Sequence, residues 1–294
     1  LNMQSANSKI VEWAADQGMF KRAENPELRV ISLGAGVQST VMALMAAHGE
    51  IGPMPDCAIF ADTGWEPAGV YEHLDWLEKQ LPFPTYRVSA GNIRDDHMAG
   101  LNTTGQRFAS IPMFTANGGM GRRQCTAEYK VAPIRKKQRE LLNVQPRKRV
   151  PKDTIVEQWL GISTDEAGRI KPSRDKWQIN HWPLIDADMS RQDCMKWFDA
   201  KYPGRVLSKS ACIGCPFHNN NNWRDLRDND PVSWSDAVEF DKAIRHNGSK
   251  LVGMKEQQFL HRACVPLDEV DLDTAEDRGQ LNFFVNECEG MCGV

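Results

Sequence analysis

The chain has 294 residues, of which 41% are hydrophobic and 26% charged, with a formal net charge of −3. That balance predicts a globular protein able to bury a core as one large or two small domains, not a disordered or fibrous one. No apolar run reaches the roughly 20 residues of a membrane-spanning helix, and "LNMQSANSKIVEWAADQGMF" lacks the basic start and apolar centre of a secretory signal, so the expectation is a cytoplasmic protein with no membrane partner.

The first element is "LRVISLGA", a buried strand that ends in glycine, followed by "VQSTVMALMAAHG", a helix closed by Gly49. Between them, Gly34 and Gly36 let the backbone bend close to an anion. Ser39 and Thr40 stand where the first amides and hydroxyls of the helix can donate to phosphate or sulfate oxygens. A tight structural turn explains the same residues, which form neither a Walker A loop nor G-x-G-x-x-G. "CAIFADTG" is a second strand and "PAGVYEHLDWLEKQL" a second helix. Asp62 is placed to accept from a ribose or an amino group or to hold Mg²⁺, and Thr63 and Gly64 approach the same ligand. Alternatively, Asp62 caps the helix that follows.

Strand, helix, strand, helix is the pattern of an α/β protein, and the architecture expected is a mostly parallel sheet flanked by helices. In such a sheet ligands sit beyond the carboxyl ends of the strands, where both loops lie. Further on, "TIVEQWLGIST" is another strand, "SRQDCMKWFDAKYP" a helix capped by Ser190 and stopped at Pro203, and "DPVSWSDAVEFDKAIRHNG" a helix ending at Gly248. The division expected is a ligand-binding α/β domain over 25–200 and a cysteine-containing helical and acidic extension over 201–294.

Charge is polarised along the chain. From Gly121 to Val150 there are ten Lys and Arg against Glu128 and Glu140, and from Val265 to Val294 eight Asp and Glu against Arg278. The basic stretch wants an anionic partner, a nucleotide phosphate or, through residues 121–149, an RNA or DNA backbone. A solvated helix face with a basic loop is the alternative beyond Ile134. Arg122, Arg123 and Lys130 flank Cys125 and are candidates to hold sulfate or phosphate.

Eight cysteines in such a chain are expected to be reduced, so spacing that gathers several argues for metal or redox chemistry. "SACIGCPFHNN" holds a Cys-x-x-Cys at Cys212 and Cys215, 87 residues after Cys125. Such a turn presents two thiolates to one centre, as in zinc sites, iron–sulfur clusters and redox dithiols. His218 beside it and His261 before Cys264 are candidate ligands or supporting donors, or simply structural.

"LGAGVQSTV" with "IFADTGWEPAGVYEHLDWL" resembles the phosphate-binding loop and second strand of the phosphoadenylylsulfate (PAPS) reductase family. This is a branch of the adenine nucleotide α-hydrolase superfamily that includes the PP-loop ATP pyrophosphatases. The likeness runs patchily through "WLGISTDEAGR" and "HWPLIDADMSRQDCMKWF" to about residue 215. It implies an adenine nucleotide on the Ser32–Thr40 loop. Gln38 stands where pyrophosphatases carry Asp, which is more like the sulfonucleotide reductases; Ser163 and Thr164 stand where the family often has arginines.

"CTAEYKVAPI" is similar to the Cys-Cys-x-x-Arg-Lys-Val-x-Pro-Leu segment of cluster-bearing adenylylsulfate (APS) reductases. Thr126 replaces the second cysteine and Lys130 matches the family's lysine. The resemblance implies that Cys125, Cys212 and Cys215 ligate a [4Fe–4S] cluster, with zinc as the alternative. The fourth position is then open, or closed by Cys264, Cys288 or Cys292. "NECEGMCGV" loosely resembles the Glu-Cys-Gly tail of the reductases, which implies Cys288 as nucleophile; Lys130 is the second catalytic candidate, and Cys292 is the candidate taken as the further metal ligand.

Three readings follow. The first is thiol-dependent reduction of APS or PAPS to sulfite and AMP or its 3′-phosphate, with a reductant such as thioredoxin. The second is ATP-dependent sulfur transfer or nucleic-acid modification, and the third a non-enzymatic nucleotide-binding iron–sulfur sensor. Gln38 and the tail cysteine favour the first.

Overall fold

The structure is a computed structural model that describes residues 3–207, 210–274 and 277. Helix α1 (Met3–Asp16) precedes strand β1 (Leu28–Leu33), helix α2 (Val37–Ala47), strand β2 (Cys57–Asp62), helix α3 (Ala68–Glu78), strand β3 (Thr85–Ser89) and helix α4 (Ile93–Ala99). After strand β4 (Phe114–Thr115) a π-helical turn, Thr126–Val131, runs directly into helix α5 (Ala132–Leu141). Then come β5 (Val156–Leu160), a 3-10 turn (Thr164–Arg169), β6 (Gln178–His181), α6 (Pro183–Asp186), α7 (Arg191–Lys201), α8 (Asn220–Asn229), α9 (Pro231–Ile244) and β7 (Gln258–Phe259).

The central sheet has the order β3-β2-β1-β5-β6, and every neighbouring pair in it is parallel. Ile31 stands between Ala58 and Trp159 in register. The expected α/β class with a parallel sheet flanked by helices is therefore what the chain adopts. β2 is buried from Cys57 to Ala61, as a near-continuous apolar strand covered on both faces should be. On one face Ile31, Leu33 and Phe60 pack with Val41 and Leu44 of α2, Leu74 and Leu77 of α3 and Phe198 of α7. On the other, Val30, Ile59 and Val156 meet Ile134 of α5.

A further core lies beyond the sheet and binds the later helices to the site. Trp65, Ile93, Met113 and Tyr129 pack with Trp223 of α8 and Phe240 of α9. β4 and β7 pair antiparallel beside it. Four asparagines at 219 to 222 start α8, with Asn219 as its N-cap. The Asn219 side chain accepts from the Asn222 amide, and Asn222 Oδ1 accepts from the Asn219 amide, which satisfies donors that helix geometry leaves open. The helix expected to reach Gly248 ends at Ile244, and a 3-10 turn over Asn247–Lys250 follows. Ser190 caps α7 with a reciprocal bond to Asp193, as expected. Among the described residues no helix is long and apolar enough to cross a membrane.

Candidate functional site

Strand order reverses at β1, whose neighbours β2 and β5 lead away on opposite sides, so a crevice opens at the carboxyl ends of β1 and β5. The Gly34–Gly36 turn forms one wall. Ala35 sits there at φ 53, a left-handed conformation costly for a side chain and characteristic of functional loops. Ser39 Oγ accepts from the Gly34 amide at 3.2 Å and donates to the Gly36 carbonyl at 3.3 Å, bracing the loop from within. The other wall comes so close that a Cβ on Gly161 would lie 2.8 Å from the Ser39 backbone.

Gln38 joins the walls. Its amide nitrogen donates to Ser163 Oγ at 3.3 Å and to Glu166 Oε2 at 3.2 Å, while its oxygen accepts from Arg191 at 3.3 Å. Arg169 donates to the other Glu166 oxygen at 2.7 Å. Burial raises the Glu166 carboxyl above its ordinary range, against the lowering pull of Arg169. Thr40, expected at the ligand, faces the core instead. It is fully buried, its hydroxyl pairs with His73 Nε2 at 2.9 Å, and its amide donates to the Gly36 carbonyl.

At the end of β2 the chain turns sharply. Asp62 Oδ1 accepts from the Gly64 amide at 2.7 Å and from the Tyr71 hydroxyl at 2.8 Å. Burial first, and then the bond to Asp62, pushes the Tyr71 phenol well above its ordinary value. Asp62 does not cap α3, whose N-cap is Pro67. The Thr63 carbonyl accepts from the Ile93 amide, and the Trp65 carbonyl accepts from the Ile213 amide at 2.9 Å. This second bond seats the Cys-x-x-Cys turn on the end of β2. Within that turn the Cys215 amide donates to the Cys212 carbonyl at 3.1 Å, and Gly214 lies flat against the Trp65 indole where no Cβ fits.

Cys125, Cys212 and Cys215 thus line one cavity, together with Thr63, Arg123, Thr126 and Lys130, closed by apolar walls that include Ile111 and Phe217. Its free space is about 30 Å³. Arg123 donates to Thr126 Oγ1 at 2.8 Å and lies over the Phe217 ring at 5.2 Å. Behind Cys212 stands Glu66, 4% exposed, which the sequence reading did not single out. Glu66 Oε1 accepts from Thr63 Oγ1 at 3.1 Å and from the Cys212 thiol at 3.5 Å, and lies 3.9 Å from Lys130 Nζ. Its Oε2 is buried with no hydrogen-bond partner among the described residues. Only the adjacency of "WEP" to "ADTG" hints at it in the sequence.

The remaining candidates disperse. Ser32 lies on β1 and Arg122 is exposed beside the cavity. His218 Nε2 meets the Cys212 carbonyl at 3.0 Å, so it buttresses the turn. His261 bonds Asn220 and the Ala263 amide. Cys264 donates to the Thr115 carbonyl, at φ 53 and away from the cavity. Cys57 and Cys194 are core residues whose thiols burial pushes up to about 12. Cys288 and Cys292 lie outside the described residues. The described cysteines are all free thiols, and among the described residues no three His, Cys, Asp or Glu side chains converge closely enough to hold a single metal ion. No protein-family model matches the chain, and no curated protein matches it.

Proposed function

We propose that the chain is an adenine-nucleotide-binding iron–sulfur enzyme of sulfur chemistry, with the adenine nucleotide α-hydrolase fold and a relationship to the PAPS reductase family. The observation that carries this reading is that Cys125, Cys212 and Cys215 line one cavity, joined to the carboxyl end of β2 through Trp65. The donor set suits a [4Fe–4S] cluster: three soft thiols, apolar walls, and Lys130 and Arg123 to offset thiolate charge. Such a cluster would supply a Lewis-acidic, redox-active iron as an anchor for sulfur.

In the reaction read first, the Gly34–Gly36 turn and the amides of α2 hold the nucleotide phosphates, and Arg123 and Lys130 hold the sulfate of APS or PAPS. Cys288 attacks the sulfate sulfur and the sulfur–oxygen bond to the nucleotide breaks. AMP or its 3′-phosphate leaves, and a thiol reductant displaces sulfite from the cysteine S-sulfonate and ends as a disulfide. Gln38 favours this reading over pyrophosphate cleavage, because Ser163, Glu166 and Arg191 engage it as an amide.

A second reading, ATP-dependent sulfur transfer, is favoured by Thr126. Its hydroxyl lines the cavity where the reductases supply a thiol, and Cys264 points elsewhere. Anaerobic purification followed by iron, sulfide and zinc analysis tests the shared premise, and a zinc protein without iron overturns it. Sulfite release from APS or PAPS with a dithiol, set against pyrophosphate release from ATP, then separates the two reactions.

A further inference from the structure

The basic segment divides in two once folded. Arg123 and Lys130 belong to the cavity, but α5 crosses the sheet face and carries the rest away from it. Ile134 is buried against Val30, Ile59 and Val156, and Gln138 is buried against Gln158 and Gln178. That fixes which side of the helix faces out. Lys136 is on the exposed side, and the loop after α5 adds Arg147, Lys148, Arg149 and Lys152, all exposed. The approach to β6 brings a further exposed cation, Arg174, alongside, because Arg135 donates to neighbouring Asp175 at 2.6 Å. Lys136, Arg149, Lys152 and Arg174 form no ion pair with any described residue.

The acidic end of the chain does not neutralise this face over its described length. Asp268 pairs with Lys242 at 2.5 Å and Asp277 with Arg224 at 2.8 Å, both on the α8–α9 pair. The Asp271 and Asp273 carbonyls accept from Asn220. A cationic surface made by Lys136 of α5, the loop after it and Arg174 is left facing solvent, and α5 leads at its N-terminal end to the cavity through the Thr126–Val131 turn.

We propose that this surface binds a nucleic-acid backbone. Charge complementarity carries the assignment. Lys136 on α5, Arg149 and Lys152 on the loop after it and Arg174 beside Asp175 are four exposed cations available to phosphate oxygens, and such a surface suits a polyanion better than a folded protein partner. The inference goes beyond the sulfonucleotide reading and does not depend on the cluster.

Fluorescence anisotropy of the full chain with labelled single strands and duplexes of RNA and of DNA, over a series of salt concentrations, is the test. Lys136→Ala/Arg149→Ala and a Lys152→Ala variant change only exposed residues. Binding is expected with a log–log salt slope of about −4, shallower by about two in the double variant, with affinity down on the order of tenfold at low salt. Which of the four probes binds tightest separates RNA from DNA and single strand from duplex. Three outcomes overturn the proposal: no binding of any probe at low salt, a slope and affinity unchanged in both variants, or displacement of the probe by polyglutamate of equal charge as readily as by unlabelled nucleic acid. Iron content measured on the same samples reports separately on the cluster, so failure of one proposal is distinguishable from failure of the other.

Discussion

Thr63 Oγ1 and Cys212 Sγ stand 3.2 Å apart, joining the last turn of β2 to a thiol 149 residues further on. The contact is set by backbone bonds on both sides, from Ile93 to the Thr63 carbonyl and from Ile213 to the Trp65 carbonyl. The end of β2 and the cysteine cavity are therefore tied together by backbone bonds. Cys125→Ser, Cys212→Ser and Cys215→Ser are each expected to lose most of the iron that anaerobic reconstitution puts into the parent protein. Cys264→Ser, bonded to Thr115 instead, is expected to retain it. Iron and sulfide analysis of the four variants is the measurement, and equal retention in all four contradicts a three-thiol centre.

Gly214→Ala tests the same unit from the other side. A methyl at this position overlaps the Trp65 indole, and Trp65 has little room to yield, because it packs at a tilt against Phe240, centroids 4.5 Å apart, and donates to Asp236 at 2.5 Å. Overpacking of this kind costs about 1–3 kcal/mol. The expected result is a lower unfolding midpoint together with reduced iron loading, read by thermal melting and iron analysis. A variant as stable and as well loaded as the parent shows that the turn relaxes freely.

Much of this was legible in the sequence, and the reasons for the misses are physical. β1 and β2 read clearly because burial on both faces makes them apolar runs. β3, "TYRVS", and β6, "QINH", did not, being short, polar and half-exposed at the sheet's edges. The three cysteines could be grouped by spacing and resemblance, since a Cys-x-x-Cys is a local signal. Glu66, Glu166 and Arg191 carry no such signal. Each acquires its role from a partner more than 100 residues away, Cys212 for the first and Gln38 for the others. Thr40 failed for the opposite reason: at the start of a helix its side chain can face ligand or core, and His73 decides for the core.

Gln38→Ala should weaken nucleotide binding without touching the cavity. It removes the bonds to Ser163, Glu166 and Arg191 that hold the two walls of the crevice together, at about 1 kcal/mol of stability. If the proposed adenine nucleotide binds in this crevice, loosening it is expected to raise the Kd on the order of tenfold, measured by calorimetry, with iron content unchanged. Unaltered affinity means the nucleotide does not use this crevice.

Acid sensitivity follows from the buried histidines. Burial depresses His97 to about 4 despite its bond to Gln258, and depresses His73, beside Arg205, to about 4. An unfolded histidine titrates near 6.5. Between these values the unfolded chain binds more protons than the folded one, so stability is full above pH 6.5 and declines as pH falls towards 4. For His97 alone the loss approaches about 3 kcal/mol at the acid end of that window. His97→Gln is expected to flatten the slope of unfolding free energy against pH between 6.5 and 4 in urea titrations, whatever it does to stability at neutral pH.

Glu66 and Lys130 supply the sharpest energetic test, because the carboxylate has almost no water to fall back on. Its side chain is 1% exposed and one oxygen lacks a partner among the described residues, while Lys130 Nζ, 3.9 Å away, faces it from the cavity wall. Removing the cation alone strands a buried charge, so Lys130→Met should destabilise by about 3 kcal/mol. Glu66→Gln keeps the shape and the acceptor oxygen for Thr63 and Cys212 and removes the charge, so it should cost less. In the double variant no buried charge remains unpaired, and the cost should fall below the sum of the two single costs by 1 kcal/mol or more, about the coupling of contacting residues. Urea unfolding of the four proteins gives the coupling directly. Strict additivity means the pair does not interact, and Lys130 then stands free of Glu66 to meet an anion in the cavity.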